Sequence, residues 1–315
     1  MIKPQTEDLA ARRLQKGVYF LDNWLAVVSI GVLAIITICL FGTGSQGFTT
    51  WNMENTMQQF CLTGSLSLTA LVSMRTGGLD LSVGSVMALS SVILGAVAEN
   101  NVGFGVLLAF IICGALGLMN GVLIMVFHLP AILVTVASSM LIWGIAMWVG
   151  NDISVSLPAE WPEMNVLPAA LALIASLGVA LLALRVTGGL PRKNTNTFKK
   201  KKYFWIYGLV AVMGVFAGWA AALCFRTSDT NFGSGSSDEM IILFIFATIS
   251  ASSLLKNNWI ALGGALVLAM LWTIHDQAMI LLELNPFSMI VSNASWVIIM
   301  LTVLTVAKRK WKNLQ

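Results

Sequence analysis

The chain is written as a succession of apolar runs roughly twenty residues long, each closed by charge, proline or glycine, and that spacing leaves few folds open. A helix must carry about 20 mostly apolar residues to cross the hydrocarbon layer, because each residue advances only about 1.5 Å. Ten such runs fall at about 20–42, 58–74, 78–98, 102–127, 131–150, 167–184, 203–225, 239–255, 258–275 and 288–307. The expected fold class is an all-α integral membrane protein with about ten transmembrane helices. Composition agrees, since 57% of the residues are hydrophobic and 10% are charged. No stretch is left for a separate soluble domain, so residues 1–315 are expected to form a single transmembrane domain. Around the spans lie a polar N-terminal segment (1–19), a basic loop (185–202) and a short tail (308–315).

An even number of spans puts both ends on one side, and the basic residues say which. Lys3, Arg12, Arg13 and Lys16 precede the first run, while Lys308, Arg309, Lys310 and Lys312 follow the last. Both termini are expected to be cytoplasmic. Arg75, the segment from Arg185 to Lys202, and Lys256 then also fall inside, and only Arg226 of 18 Lys and Arg residues falls outside. Acidic residues such as Glu99, Asp152, Glu163 and Asp238 collect in or beside the outward loops. The N-terminal segment has too long a polar lead, and no small-residue cleavage site, for a signal peptide.

The net charge of +4 does not point to nucleic acid, because the basic residues are spread over inward loops as membrane orientation requires. The one concentrated run is Arg192, Lys193 and Lys199 to Lys202. It suits attraction to anionic membrane lipid, and equally a docking face for an acidic surface on a cytoplasmic partner. Cys39, Cys61, Cys113 and Cys224 lie in or beside apolar runs, without CxxC pairing or a neighbouring His. They read as plain buried thiols, not as a disulfide scaffold or a metal site. Two distant His and no carboxylate cluster offer no acid–base pair, and no GxxxxGK[ST] phosphate loop occurs. No catalytic residue, metal site or cofactor is therefore expected in this chain. Trp51, Trp148 and Trp161 suit headgroup-level anchors.

Polar residues within spans are costly, so they mark either tight packing or a path. The second run holds Thr63, Gly64, Ser65, Ser67, Thr69 and Ser73 and is expected to be a packed inner helix. Between it and the third run, Thr76 to Ser85 breaks the apolar text. Gly77 and Gly78 free the backbone for a turn, and Asp80 or Ser82 can cap the helix that follows. Capping, with Arg75 as ion partner, and a direct role in transport are both open for Asp80. Gly117 and Gly121 form a small-xxx-small pair that implies close packing, and Asn120 between them needs partners, either in packing or along a path.

The string Gly77-Gly78-Leu79-Asp80-Leu81-Ser82-Val83-Gly84-Ser85 resembles the GGxDLSVGS signature of ribose-type (monosaccharide) sugar permeases, the membrane subunits of bacterial ATP-binding-cassette (ABC) importers. Gly117-Leu118-Met119-Asn120-Gly121 is similar to that family's G-x-x-N-G, and Leu129 to Thr135 to its proline-led segment ending in Val-Thr. Trp143-Gly144-Ile145 sits where the family has a small aromatic or Arg-Gly step. The resemblance implies a ten-span permease of the bacterial cytoplasmic membrane, paired with a second copy or a paralogous permease. An extracytoplasmic substrate-binding protein would deliver the solute, and a separate ATPase subunit would bind ATP and Mg. It puts Asp80, Ser82, Asn120 and Thr135 forward as substrate-pathway candidates. Arg192, Lys193, Lys199 and Lys200 become candidates for docking the ATPase.

The second half departs from the family pattern. Residues 185–203 lack the family's Asn-led AA…SGI docking stretch, and Ser252 to Asn258 lacks its Gly-rich turn. One hypothesis is that this is the divergent member of a heteromeric permease pair; a homodimer competent for ATP-driven uptake without a second permease would refute it. Two other functions stand beside the importer: a self-contained secondary transporter and a non-transporting membrane scaffold.

Overall fold

The computed structural model describes residues 49–76, 78, 80–97, 102–150, 155–157, 166–187, 204–225, 227–230, 258–285, 287–289, 291–292, 294–295 and 298. They form seven α-helices: α1 (Thr50–Thr76), α2 (Val83–Val97), α3 (Val102–Met125), α4 (Ala131–Gly150), α5 (Leu167–Thr187), α6 (Trp205–Phe225) and α7 (Asn258–Leu281). A two-residue antiparallel ladder, β1 (Val155–Ser156) with β2 (Thr227–Ser228), is the one sheet among them. The expected runs at 20–42 and 239–255 lie outside the described residues, and that at 288–307 lies largely outside.

Among the described residues five helices are long and apolar enough to cross a bilayer: α3, α4, α5, α6 and the Ala261–Leu281 part of α7. The helix at the third run is shorter than the run itself. Its first residues are spent on a turn, so α2 is 15 residues long, about 22 Å at helical rise. Conversely α1 is longer than the 58–74 run, beginning where Thr49 Oγ1 accepts the Asn52 N–H (3.3 Å) and caps it. Its small hydroxyls, Ser65, Ser67, Thr69 and Ser73, are buried as expected of an inner helix. Three of them bond back onto their own helix, Ser65 to Cys61 O, Thr69 to Ser65 O and Ser73 to Ala70 O. That spares neighbouring helices from having to satisfy them.

Helix α6 is the hub, packed against α1, α2, α3 and α5, while α1 also meets α5 and α7. Close approach at the hub is a glycine effect. A Cβ on Gly117 would lie 2.5 Å from Tyr207 O and 2.6 Å from Ala211 Cβ, and one on Gly121 would run into the Phe204 carbonyl. The pair therefore lays α3 directly on the backbone of α6, as its spacing implies. Leu68, Leu71, Leu184, Ile206 and Met213 fill the core between α1, α5 and α6, and Leu89, Ile142 and Val215 the one between α2, α4 and α6.

Helix ends follow local chemistry. α3 stops where His128 takes φ 61°, with Leu129 N–H reaching back to Leu123 O (3.2 Å), and Pro130 leads into α4. α7 closes likewise at Glu283, φ 52°, with Leu284 N–H on Met279 O (3.2 Å). Cys61 and Cys113 are buried free thiols, and Cys224 is a half-buried one. Trp51 and Trp148 stand exposed, as interfacial anchors would; Trp161 lies outside the described residues.

Candidate functional site

The turn between α1 and α2 is built by the residues that interrupt the apolar text. Gly78 N–H returns to Ser73 O, five residues back (2.9 Å), the closing bond of a Schellman-type helix end. Gly78 itself has φ 146°, a conformation open to glycine and strained for other residues. A Cβ there would also press to 3.1 Å from Ala131 Cβ at the start of α4. Two residues on, Asp80 Oδ1 accepts both the Ser82 backbone N–H (3.0 Å) and the Ser82 hydroxyl (2.6 Å). This is an Asx-type turn feeding directly into α2, whose first bond is Val86 N–H to Ser82 O (3.0 Å). The carboxylate is thus engaged by Ser82, while Arg75 is buried at the end of α1.

From Ser82 the hydrogen bonds leave the turn and cross to two other helices. Asn120 Nδ2 on α3 donates to Ser82 Oγ (3.0 Å), and Ser138 Oγ on α4 donates to Asn120 Oδ1. One turn further along, the hydroxyls of Ser85 on α2 and Ser139 on α4 meet at 2.7 Å. The line has one direction: Ser138 donates to Asn120, Asn120 to Ser82, and Ser82 to Asp80. It ends on the one group that, when ionised, only accepts. Each bond polarises the next, and the set is buried throughout, with Asp80 at 1%, Ser82 at 3%, Asn120 at 0% and Ser138 at 4% exposure.

Three of the four pathway candidates are therefore brought into one junction of α2, α3 and α4. Thr135 is buried on α4 but bonds back to Ala131 O (2.9 Å), outside the line. Ser138, three residues further along the same helix and not among the candidates, supplies the α4 end of the line. The clue was available, since Ser138 and Ser139 are adjacent hydroxyls in a largely apolar run and bond to different helices. The docking candidates Arg192, Lys193, Lys199 and Lys200 lie outside the described residues.

Ser138 is also where the junction meets open space. A groove of about 430 Å³ runs between α3 and α4, and Ser138 is the sole polar residue among a lining that includes Met119, Leu123, Leu133 and Leu141. Away from the junction, the ladder ties the segments that follow α4 and α6. There Trp143 Nε1 donates to Thr230 O (3.2 Å) and Ser91 Oγ to Asp229 O (3.0 Å). His275 shares a hydrogen bond with Ser292 Oγ (3.2 Å) beside the Trp272 ring. Among the described residues no three His, Cys, Asp or Glu side chains gather as metal ligands.

No family model matches the chain, and no solved structure matches it. Curated relatives do. The chain is 29% identical over 154 residues to the L-arabinose ABC transporter permease protein AraH of Azospirillum brasilense, covering 48% of this chain and 45% of that one. It is 35% identical over 129 residues to the fructose import permease protein FrcC of Rhizobium meliloti, covering 39% and 35%. To the ribose import permease protein RbsC of Escherichia coli K12 it is 27% identical over 145 residues, covering 45% and 44%. The chain thus spans less than half the length of these relatives in each match. Over that stretch, a protein of long apolar helices is similar to the permeases of sugar ABC importers.

Proposed function

We propose that the chain is the transmembrane permease subunit of an ABC importer, a multi-pass protein of the bacterial inner membrane that passes a sugar or a similar small polar solute. The observation that carries this is the similarity to three permeases named for L-arabinose, fructose and ribose. Those three share a polyhydroxylated, uncharged chemistry, and the substrate class is proposed at that level.

In this reading the full protein crosses the bilayer ten times with both termini in the cytoplasm. A separate ATPase subunit, holding ATP and Mg, supplies the energy; a substrate-binding protein outside delivers the solute; and a second permease copy or a paralogue completes the path. The loop 185–202, with Arg192, Lys193, Lys199 and Lys200, meets the ATPase. Alternating access then requires partner contacts that differ between the facing states, because an equilibrium moves only by differential interaction.

The junction supports a definite mechanical role for Asp80, Ser82 and Asn120. Buried and mutually bonded, they fix the start of α2 to α3 and α4, so that these three helices move as one wall of the path. Thr135 and Ser138 stand on the α4 side of that wall. A solute hydroxyl reaching the groove would meet Ser138 Oγ as an acceptor, since its hydrogen is committed to Asn120.

Uptake of labelled pentoses and hexoses by cells expressing the chain tests the proposal. Uptake is expected to vanish when the partner ATPase is inactivated and to survive protonophores over short times. Uptake that collapses with protonophores and needs no ATPase would make it a secondary transporter; membrane insertion without any uptake phenotype would make it a scaffold.

A further inference from the structure

The segment that leaves α6 is strapped across two other helices. Its strand β2 pairs with β1, which follows α4, with Val155 opposite Ser228 and Ser156 opposite Thr227. The next two residues are held by their carbonyls. Asp229 O accepts from Ser91 Oγ of α2 (3.0 Å), which shares its hydrogen with Ala88 O, and Thr230 O accepts from Trp143 Nε1 of α4 (3.2 Å). Thr230 is buried, and Leu157, next after β1, is buried with Leu94 and Ala222. The strap fills a step between helix ends. Val92 lies against Gly150, where α4 stops, and α2 runs on for five more residues, about 8 Å at helical rise. Thr230 sits in that step, its methyl 3.4 Å from where a Cβ on Gly150 would be.

We propose that this strap is a latched lid on the extracytoplasmic end of the path, seated in the step between α2 and α4 while the path is shut to the outside and lifting from it to admit solute. The helices around it are not free to do that work. A Cβ on Gly218 of α6 would run into Met87 O of α2, one turn below Ser91, and Gly117 and Gly121 lay α3 on α6 as closely. Such contacts are packed at backbone distance and part only as a whole. The strap is held far more lightly. A two-residue ladder is marginal by itself, so its seating depends on the donors from Ser91 and Trp143. Its carbonyls, once lifted, find water on the outward side as acceptors of equal standing. The inference rests on the permease reading, which puts the segments after α4 and α6 outside; the lifting itself is read without transport.

Lifting is tested on the full chain in sealed right-side-out vesicles with a membrane-impermeant maleimide. A Thr230→Cys reporter is expected to label slowly, and about fivefold faster when Trp143→Phe removes one donor to the strap, the effect of one lost hydrogen bond on the open population. Equal rates in the two backgrounds overturn the lid. Should Trp143→Phe not reach the membrane, Ser91→Ala removes the other donor and is held to the same result. The need for lifting is tested by pinning the strap in its seat with the pair Gly150→Cys and Thr230→Cys, whose spacing suits a disulfide. Oxidation is expected to cross-link the pair and abolish uptake in cells that carry the ATPase and binding protein, reduction to restore it, and either single variant to be indifferent to oxidant. Full cross-linking with unchanged uptake overturns the proposal, and so does a pair that never cross-links. If the native complex takes up no solute, the permease reading falls, while the labelling rates still decide whether the strap lifts.

Discussion

Two helix contacts in this molecule solve the same problem by opposite means. Where α3 lies on α6, contact is made by deletion: Gly117 and Gly121 remove side chains until backbone meets backbone. Where α2 meets α3 and α4, contact is made by addition, with Asp80, Ser82, Asn120, Ser138, Ser85 and Ser139 placing polar groups in an apolar setting. In a membrane neither gains from excluding water, so the first relies on dispersion at short range and the second on hydrogen bonds. The first tolerates no added atom, while the second tolerates no missing partner. The two fail differently, and that difference is measurable.

The largest loss is expected at the glycine contact. Gly121→Ala forces a methyl into the Phe204 carbonyl, a backbone atom that cannot turn aside. Overpacking of this kind costs about 1–3 kcal/mol, here toward the upper end, read as lower membrane abundance and lower Tm. A neutral Gly121→Ala would mean that α3 and α6 are further apart than described. Next comes Asn120→Ala, which strands the Ser138 donor and removes the donor to Ser82 at once. A loss of about 1–2 kcal/mol is expected, together with lower uptake. Asp80→Ala belongs beside it at about 1 kcal/mol, since it removes the acceptor that shapes the turn. Either variant reaching the membrane in normal amount and yet failing to transport would move these residues from holding the wall to touching the solute. A smaller effect is expected at the Ser85–Ser139 bridge, where a double-mutant cycle to Ala should give a coupling of about 0.6 kcal/mol. Zero coupling would leave Asn120, among the described residues, as the sole polar tie between these helices.

The glycine contact was more legible in the sequence than the polar one. A four-residue spacing of small residues says what it does, because both glycines necessarily face the same way on a helix. Gly214 and Gly218 on α6 have that spacing too, and each opposes α2 at Val83 to Ser90. The polar junction was half legible. Asp80 and Ser82 announce a turn by their order, and Asn120 announces a need for partners. Which partner serves Asn120 depends on how α4 is rotated, and rotation is set by packing that no single run encodes. Hence Ser138, which no motif singled out, supplies the bond. Span ends suffered similarly: α1 starts at Thr50 because a Thr49 cap extends it beyond the apolar run, and α2 starts late because Asp80 consumes the first turn.

The smallest expected effect separates the two kinds of contact most cleanly. Gly144 on α4 has open space where its Cβ would be, with nothing within 4 Å among the described residues, unlike Gly117 and Gly121. Glycine in a helix interior is worth roughly 0.5–1 kcal/mol less than alanine, so Gly144→Ala should raise the stability of the purified chain slightly. The same residue stands on the outward face of α4 with Met140, Leu141 and Trp148, all exposed. If that face meets only lipid in the assembled complex, the gain persists there. If a second permease lays its backbone against Gly144, as α6 does against Gly121, the gain becomes a loss on assembly. The sign of one methyl group's effect, measured in the isolated chain and again in the complex, thus reports whether the glycine contact seen inside this chain is repeated between chains.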